Sequence, residues 1–326
     1  MLTTALVAAC TGSPSSPSSS SAIPPERLVE GLAVNAVDGT AAAGLSVRVS
    51  TAPTATTDAS GYFRTEVDKP GSYSTTISGS GIVERQTLVT SPTAERARLS
   101  VIPSSFDLAA FDEMFRTANA RLQRWTTRPA LVVIASVMSY RVPADEYTAT
   151  GERMSDEEVS LLVAHLTEGL SLLTGGTYTS FARVDIERPA ADTRALVTRA
   201  GTIVVGRYNG ILTFAQTIGY GRWAENPDGS VNGGAMFLDW NFDRDDARRR
   251  LLRIHELGHA LGYLHVESRT SIMNPAIGPE PTDFDRAAAI VAFQRQPGNV
   301  SPDRDPMSGP QNPFAPTAAR WTGPVR

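Results

Sequence analysis

The stretch His255-Glu256-Leu257-Gly258-His259-Ala260-Leu261-Gly262-Tyr263-Leu264-His265 constrains this chain most, because it gathers three of its four histidines. On a helix, positions four apart lie one turn above each other on the same face, so His255 and His259 aim two imidazoles at one point. Glu256 stands a step round the helix, within reach of a water at that point. Gly262 lets the backbone leave the helix through a left-handed conformation, and His265 then supplies a third nitrogen from outside it. Three neutral imidazoles with an open fourth position suit a catalytic zinc ion, whereas a structural site is closed. The bland reading has the histidines merely packed or solvated. At average residue frequencies the five fixed positions recur by chance in on the order of one in 10⁵ chains of this length.

Ser271-Ile272-Met273-Asn274-Pro275 follows after a short polar loop. His-Glu-x-x-His-x-x-Gly-x-x-His followed by a methionine turn is the signature of the metzincin zinc peptidases. The chain resembles that clan, and the short gap from His265 to Met273 is most similar to its matrixin members. The resemblance implies that Met273 floors the metal site without ligating it. On its own, such a methionine reads as core filler.

At 326 residues the chain suggests about two domains. A net charge of −4 and a pI near 5.7 argue against nucleic acid as the main partner. The single cysteine, Cys10, excludes an intramolecular disulfide. No apolar run is long enough to span a bilayer as a helix. Residues 1–27 read as a signal and linker: Leu6-Val7-Ala8-Ala9-Cys10 resembles a bacterial lipobox, and the Ser/Pro tract beyond it suits a flexible tether. The resemblance implies a lipid anchor at Cys10 outside the cytoplasm. The segment departs from a signal peptide in carrying no positive charge before Cys10. The alternative is a disordered tail with a chance cysteine.

Residues 28–100 turn to Val, Thr, Ser and Gly with regular turn signals. Strands are expected at 30–34, 45–50, 62–67, 71–77 and 86–90, a small β-sandwich pattern. Thr57-Asp58-Ala59-Ser60-Gly61-Tyr62-Phe63 and Pro70-Gly71-Ser72-Tyr73 resemble the carboxypeptidase regulatory-like domain, which implies a spacer or binding module. Asp58 reads as a turn residue, not a ligand.

Residues 104–296 change to longer elements. Leu108, Phe111, Phe115, Ala118, Leu122 and Trp125 recur at helical spacing, and 131–135 reads as a buried strand. Ser155 and Glu158 form a capping box for a helix with Val159, Leu162, Leu166, Leu170 and Leu173 inside, stopped by Gly175-Gly176. Strands are expected at 181–187, 202–206, 211–218 and 235–240. Asp243, Asp245 and Asp246 then open the active helix, where acidic groups suit the positive end of its dipole. Thr282 caps a last helix to about Phe293. Residues 297–326 are expected to be a poorly ordered tail.

That order resembles the metzincin N-terminal subdomain, so the expected class is α+β, a mixed twisted sheet with an active-site helix preceded by an all-β sandwich. By the same resemblance 211–216 is the edge strand along the cleft. Ile211, Thr213 and Ala215 would bind a protein or peptide substrate by strand addition. The S1′ pocket would lie between Leu251, Leu252 and the loop from Asn274 through Pro275 to Pro279. Glu256 is the expected general base of a monomeric zinc endopeptidase. One catalytic zinc is expected, because the histidines for the structural zinc of matrixins are absent. Calcium at Asp228, Asp239 or Asp243 is a further candidate without support, since loop aspartates are usually solvated turns or caps, and His165 lacks a ligand-spaced partner. The chain also lacks the prodomain cysteine motif that silences many matrixins. Two other readings stay open, a surface binding lipoprotein with a degenerate zinc domain and a zinc hydrolase of chain ends or non-peptide amides.

Overall fold

A computed structural model describes residues 24–92, 96–116, 120–141, 146–209, 217–307 and 320–321. Cys10 with its tether, and Ile211, Thr213 and Ala215, lie outside the described residues. The architecture is mixed α+β.

In the N-terminal part, β1 (Leu28–Asn35), β4 (Tyr62–Glu66) and β7 (Ala97–Val101) form one sheet in the order β4-β1-β7. The second sheet contains β2 (Ser46–Val49), β3 (Ala55–Thr56), β5 (Gly71–Ser78) and β6 (Arg85–Ser91), in the order β3-β2-β5-β6. Alternate residues point inward, and Val29, Val47, Val49, Phe63, Ile77 and Val89 meet in one apolar core. Asp58 closes a turn, its carboxylate accepting the Ser60 and Tyr62 N–H groups.

The second part is built on an eight-stranded sheet. It contains β8 (Arg124–Trp125), β9 (Ala130–Arg141), β10 (Glu146–Arg153), β11 (Val184–Glu187), β12 (Thr202–Asn209), β13 (Gly219–Glu225), β14 (Ser230–Asp239) and β15 (Arg320–Trp321). The main order is β10-β9-β12-β14-β13-β15, with β11 beside β9 and β8 beside β14. Strands β9, β12 and β14 run parallel, and β10 and β13 antiparallel to their neighbours. The helices are α1 (Leu108–Phe115), α2 (Asp156–Leu173), α3 (Trp240–Asp245), α4 (Arg249–Leu261) and α5 (Asp283–Phe293). Because strand side chains alternate, Val133, Val205 and Met236 face the core shared with α2 and α4. Val132, Val204 and Phe237 face a second core on the other side of the sheet. The Ser155–Glu158 capping box starts α2, and all five of its expected inner residues are buried.

Several expectations change. The helix at Leu108 stops at Phe115. Ala118 lies outside the described residues; Leu122 and Trp125 are buried but outside any helix, Trp125 in β8, where it pairs with Val231 of β14. Their spacing of three fits a helix or a strand-and-turn equally well. Asp243, Asp245 and Asp246 do not open the active helix. Asp243 and Asp245 lie in α3, Asp246 is extended and ends it, and α4 begins after Arg248. Strand β13 occupies a stretch between the strands expected at 211–218 and 235–240 where none was expected.

The tail differs as well. Residues 297–307 pack between the two parts, with Asn299 and Asp303 fully buried. Their polar character suggested solvent, but the chain just after α5 and the sandwich both supply partners. Asp303 takes a two-point contact from Arg295 at 2.7 and 2.8 Å, and Asp305 pairs with Arg85 of β6 at 2.9 Å. The Gln86 N–H donates to the Asp303 carbonyl, and the Asp305 N–H to the Gln86 carbonyl. Residues 308–319 and 322–326 lie outside the described residues.

Candidate metal centre

Helix α4 carries the two i,i+4 histidines, and two close approaches and a terminal turn fix where it lies. On the sheet side β13 passes beneath it at Gly221, where a Cβ would fall 2.4 Å from the Glu256 carbonyl oxygen and 2.6 Å from the His259 Cβ. At Gly258 a Cβ would meet the Met273 Sδ at 2.5 Å, so the methionine fills the space this glycine leaves. At its end, Gly262 has φ 102° and ψ 13°, the left-handed conformation that turns the chain toward His265.

His255, His259 and His265 come together as expected, with ligand nitrogens all within 4.8 Å of one another. The Nε2 atoms of His255 and His265 each lie 3.1 Å from that of His259. For two of the rings the proton can be assigned. The His255 Nδ1 lies 2.7 Å from the Ile272 carbonyl oxygen, and the His259 Nδ1 lies 2.7 Å from that of Tyr263. A carbonyl only accepts, so each Nδ1 carries the proton and each Nε2 presents a lone pair. Two lone pairs facing at 3.1 Å repel unless a cation lies between them. Tetrahedral zinc with Zn–N near 2.0–2.1 Å spaces its nitrogens about 3.3 Å apart, so the donor set fits that ion. Burial also favours the neutral rings, pushing His255 down to about 4 and His259 well below the ordinary histidine value.

Glu256 turns roughly 100° from His255 about the helix axis, and its Oε1 lies against Gly219 of β13, 2.8 Å from where a Cβ would stand. Its Oε2 is buried with no hydrogen-bond partner among the described residues. Burial raises the carboxyl well above its ordinary range, opposed by a hydrogen bond from the Gly221 backbone. A buried carboxyl of raised proton affinity, one position from a candidate metal-ligating histidine, is chemically suited to carry a proton.

The turn carrying Met273 is tied to α5 by Asp285. This carboxylate accepts the Ser271 hydroxyl, the Ile272 N–H at 3.1 Å and the Thr282 N–H at 2.7 Å. Thr282 was legible in the sequence as the N-cap of α5; that Asp285 completes a capping box with it and also holds the methionine turn had no local signal. The carbonyls of Ile272 and Tyr263 that orient the rings were missed for the same reason.

The other named residues fall elsewhere. Leu252 is buried where β13 meets α4, its Cδ1 3.0 Å from the Cβ position of Gly219, and Pro275 is exposed on the loop beyond Met273. On the α4 side the sheet ends in β13 and, beyond it, the two-residue β15. Among the described residues the outer edge of β13 pairs only at Ala224 and Glu225, with β15. The aspartates weighed for calcium have other work. Asp228 closes a turn onto Ser230, Asp239 caps α3, and buried Asp243 binds Arg207 at 2.6 Å and Arg253 at 2.7 Å. His165 accepts from Arg253 through Nδ1 at 3.0 Å. Among the described residues no helix is long and apolar enough to cross a membrane.

No known family model matches the chain, and no curated protein does. Among solved structures, similarity is found to a C-terminal interface mutant of a type II cohesin–X-dockerin complex from Acetivibrio cellulolyticus, at 21% identity. It covers 28% of this chain and 75% of that one, with a TM-score of 0.19. The matching N-terminal interface mutant is similar at 18% identity over the same shares, with a TM-score of 0.18.

Proposed function

We propose that this chain is a zinc endopeptidase of the metzincin type, similar to matrixins, acting on protein or peptide substrates. The observation that carries the reading is the convergence of two deprotonated Nε2 atoms on a third imidazole, beside a buried carboxyl at the sheet edge. His255, His259 and His265 would hold the ion. Zinc, when bound, supplies a Lewis acid that polarises a carbonyl and makes water more acidic.

The protein's own groups do the rest. Glu256 as carboxylate takes a proton from the attacking water, and its burial favours the protonated form that results. The same group then returns that proton to the departing amine nitrogen. Between Gly219 and Trp223 no described strand pairs with the outer edge of β13, so its main chain would offer donors and acceptors to an extended substrate. This edge supports antiparallel addition, since β15 of the same chain already pairs with it at Ala224 and Glu225. Main-chain pairing would make binding tolerant of sequence.

Glu256→Gln tests the reading. The variant should keep stoichiometric zinc and lose peptide-library cleavage by at least about 10²-fold. Undiminished cleavage would sink the assignment of Glu256. Zinc bound without cleavage in either protein would favour a binding lipoprotein with a degenerate site, and trimming of chain ends alone would favour an exopeptidase.

A further inference from the structure

Two of the three candidate ligands are placed by a helix, and the third is not. His255 and His259 project from α4, whereas His265 lies past Gly262 on irregular chain and is half-buried. Something other than helix geometry must set its position.

The backbone on both sides of His265 is fastened to α1. Before it, the Leu264 N–H donates to the Met114 carbonyl at 2.8 Å. After it, the Glu267 and Ser268 N–H groups both donate to one oxygen of Glu113, Oε2, at 2.9 and 3.1 Å. Next along the chain, Arg269 pairs at 3.0 Å with Asp107, the residue that caps α1, and its guanidinium lies 4.3 Å from the Phe284 ring centroid. Helix α1 is itself firmly seated. Phe111, Met114 and Phe115 are buried, and the Phe115 ring meets Tyr263 at 4.4 Å. Two amides on one carboxylate oxygen make a charge-assisted clamp. Burial opposes the charge, but these hydrogen bonds outweigh it and hold the Glu113 carboxyl below its ordinary value.

We infer that Glu113 is a positioning residue for the third metal ligand: by clamping Glu267 and Ser268 it holds His265 at the point where His255 and His259 converge. The inference rests on reading the three histidines as a metal site. A competing tether exists on the other side of the loop, where the Val266 N–H donates to the Met273 carbonyl at 2.9 Å. Asn274 Nδ2 also donates to the carbonyls of Val266 and Arg269. That tether fixes the loop to the methionine turn, whereas Glu113 fixes it to α1 from outside the motif.

The experiment uses the full chain as wild type, Glu113→Ala and Glu113→Gln. Zinc affinity is measured by competition with a chelator, the visible spectrum is recorded after loading with Co²⁺, and the metal-free proteins are melted. Glu113→Ala should bind zinc about 10–100-fold more weakly, the usual loss when support for a ligand is removed, with an altered cobalt spectrum. Glu113→Gln, whose amide oxygen can accept the same two N–H groups, should recover most of both. A fall in melting temperature with unchanged zinc affinity and cobalt spectrum would mark a merely structural role and overturn the inference. If Glu113→Ala does not fold, Glu113→Asp carries the test, since a side chain one methylene shorter cannot reach both donors. Wild type that binds no zinc overturns the metal-site reading itself. Zinc-binding wild type with an equally tight Glu113→Ala overturns only the role of Glu113.

Discussion

Asp285 holds Ile272, and through it His255. The Asp285 carboxylate accepts the Ile272 N–H at 3.1 Å, and the carbonyl of the same residue receives the His255 Nδ1 proton at 2.7 Å. A single residue thus links the first turn of α5 to the orientation of a candidate metal ligand. Replacing Asp285 with Ala leaves the Ser271, Ile272 and Thr282 donors buried or half-buried without an acceptor. Each such group costs about 1–3 kcal/mol. Asp285→Ala should therefore lower the unfolding free energy by several kcal/mol in denaturant titration, about 3 or more. In whatever folds, zinc affinity should fall by about 10-fold or more. An unchanged midpoint and affinity would show that the methionine turn holds itself.

The second prediction concerns acid. His255 is pushed down to about 4 by burial, and His259 is driven in the same direction by burial and by its two neighbouring imidazoles. The unfolded chain has ordinary histidines near about 6.5. Between these values the unfolded metal-free chain takes up protons that the folded chain refuses. This contribution to stability is therefore complete above about pH 6.5 and is lost progressively as pH falls toward 4. The same depression limits competition between protons and metal. Zinc should stay bound on dialysis at about pH 5.5, where ordinary histidines are mostly charged. Release of zinc with a midpoint at or above 6.5 would contradict the burial argument.

What the sequence disclosed was local chemistry. The histidine pair, the turn at Gly262, the capping box of α2, the N-cap of α5 and the inner face of α2 are each specified within a few residues. Their signals survive in any tertiary setting. Strand β13 was hidden because Gly-Tyr-Gly-Arg-Trp-Ala-Glu has the composition of a loop. Two of its glycines are there to let the strand approach α4, a requirement that exists only once the helix is in place. Residues 297–307 read as solvated because Asp303 and Asp305 meet their arginines across 8 and 220 residues of chain. The break between α3 and α4 was obscured by aspartates that also suit a helix start. One of them, Asp243, instead sits buried between Arg207 and Arg253.

The two glycines of β13 make the last prediction, because they face α4 through different atoms. A methyl at Gly221 would meet the Glu256 carbonyl oxygen at 2.4 Å and the His259 Cβ at 2.6 Å. Neither atom can swing aside, so β13 and α4 must separate. Overpacking of this kind typically costs about 1–3 kcal/mol, and more when backbone is involved. A methyl at Gly219 would meet the Glu256 Oε1 at 2.8 Å and the Leu252 Cδ1 at 3.0 Å, both ends of side chains that can rotate. Gly221→Ala should therefore lower the melting temperature clearly, by about 5 °C or more for a loss of this size. Gly219→Ala should melt near wild type but displace the Glu256 carboxyl, reducing kcat/KM by about 10-fold or more with zinc content unchanged. Thermal melts and peptide cleavage on the two variants side by side separate these effects. Equal melting of Gly221→Ala and wild type would mean that β13 does not approach the helix as closely as these contacts require.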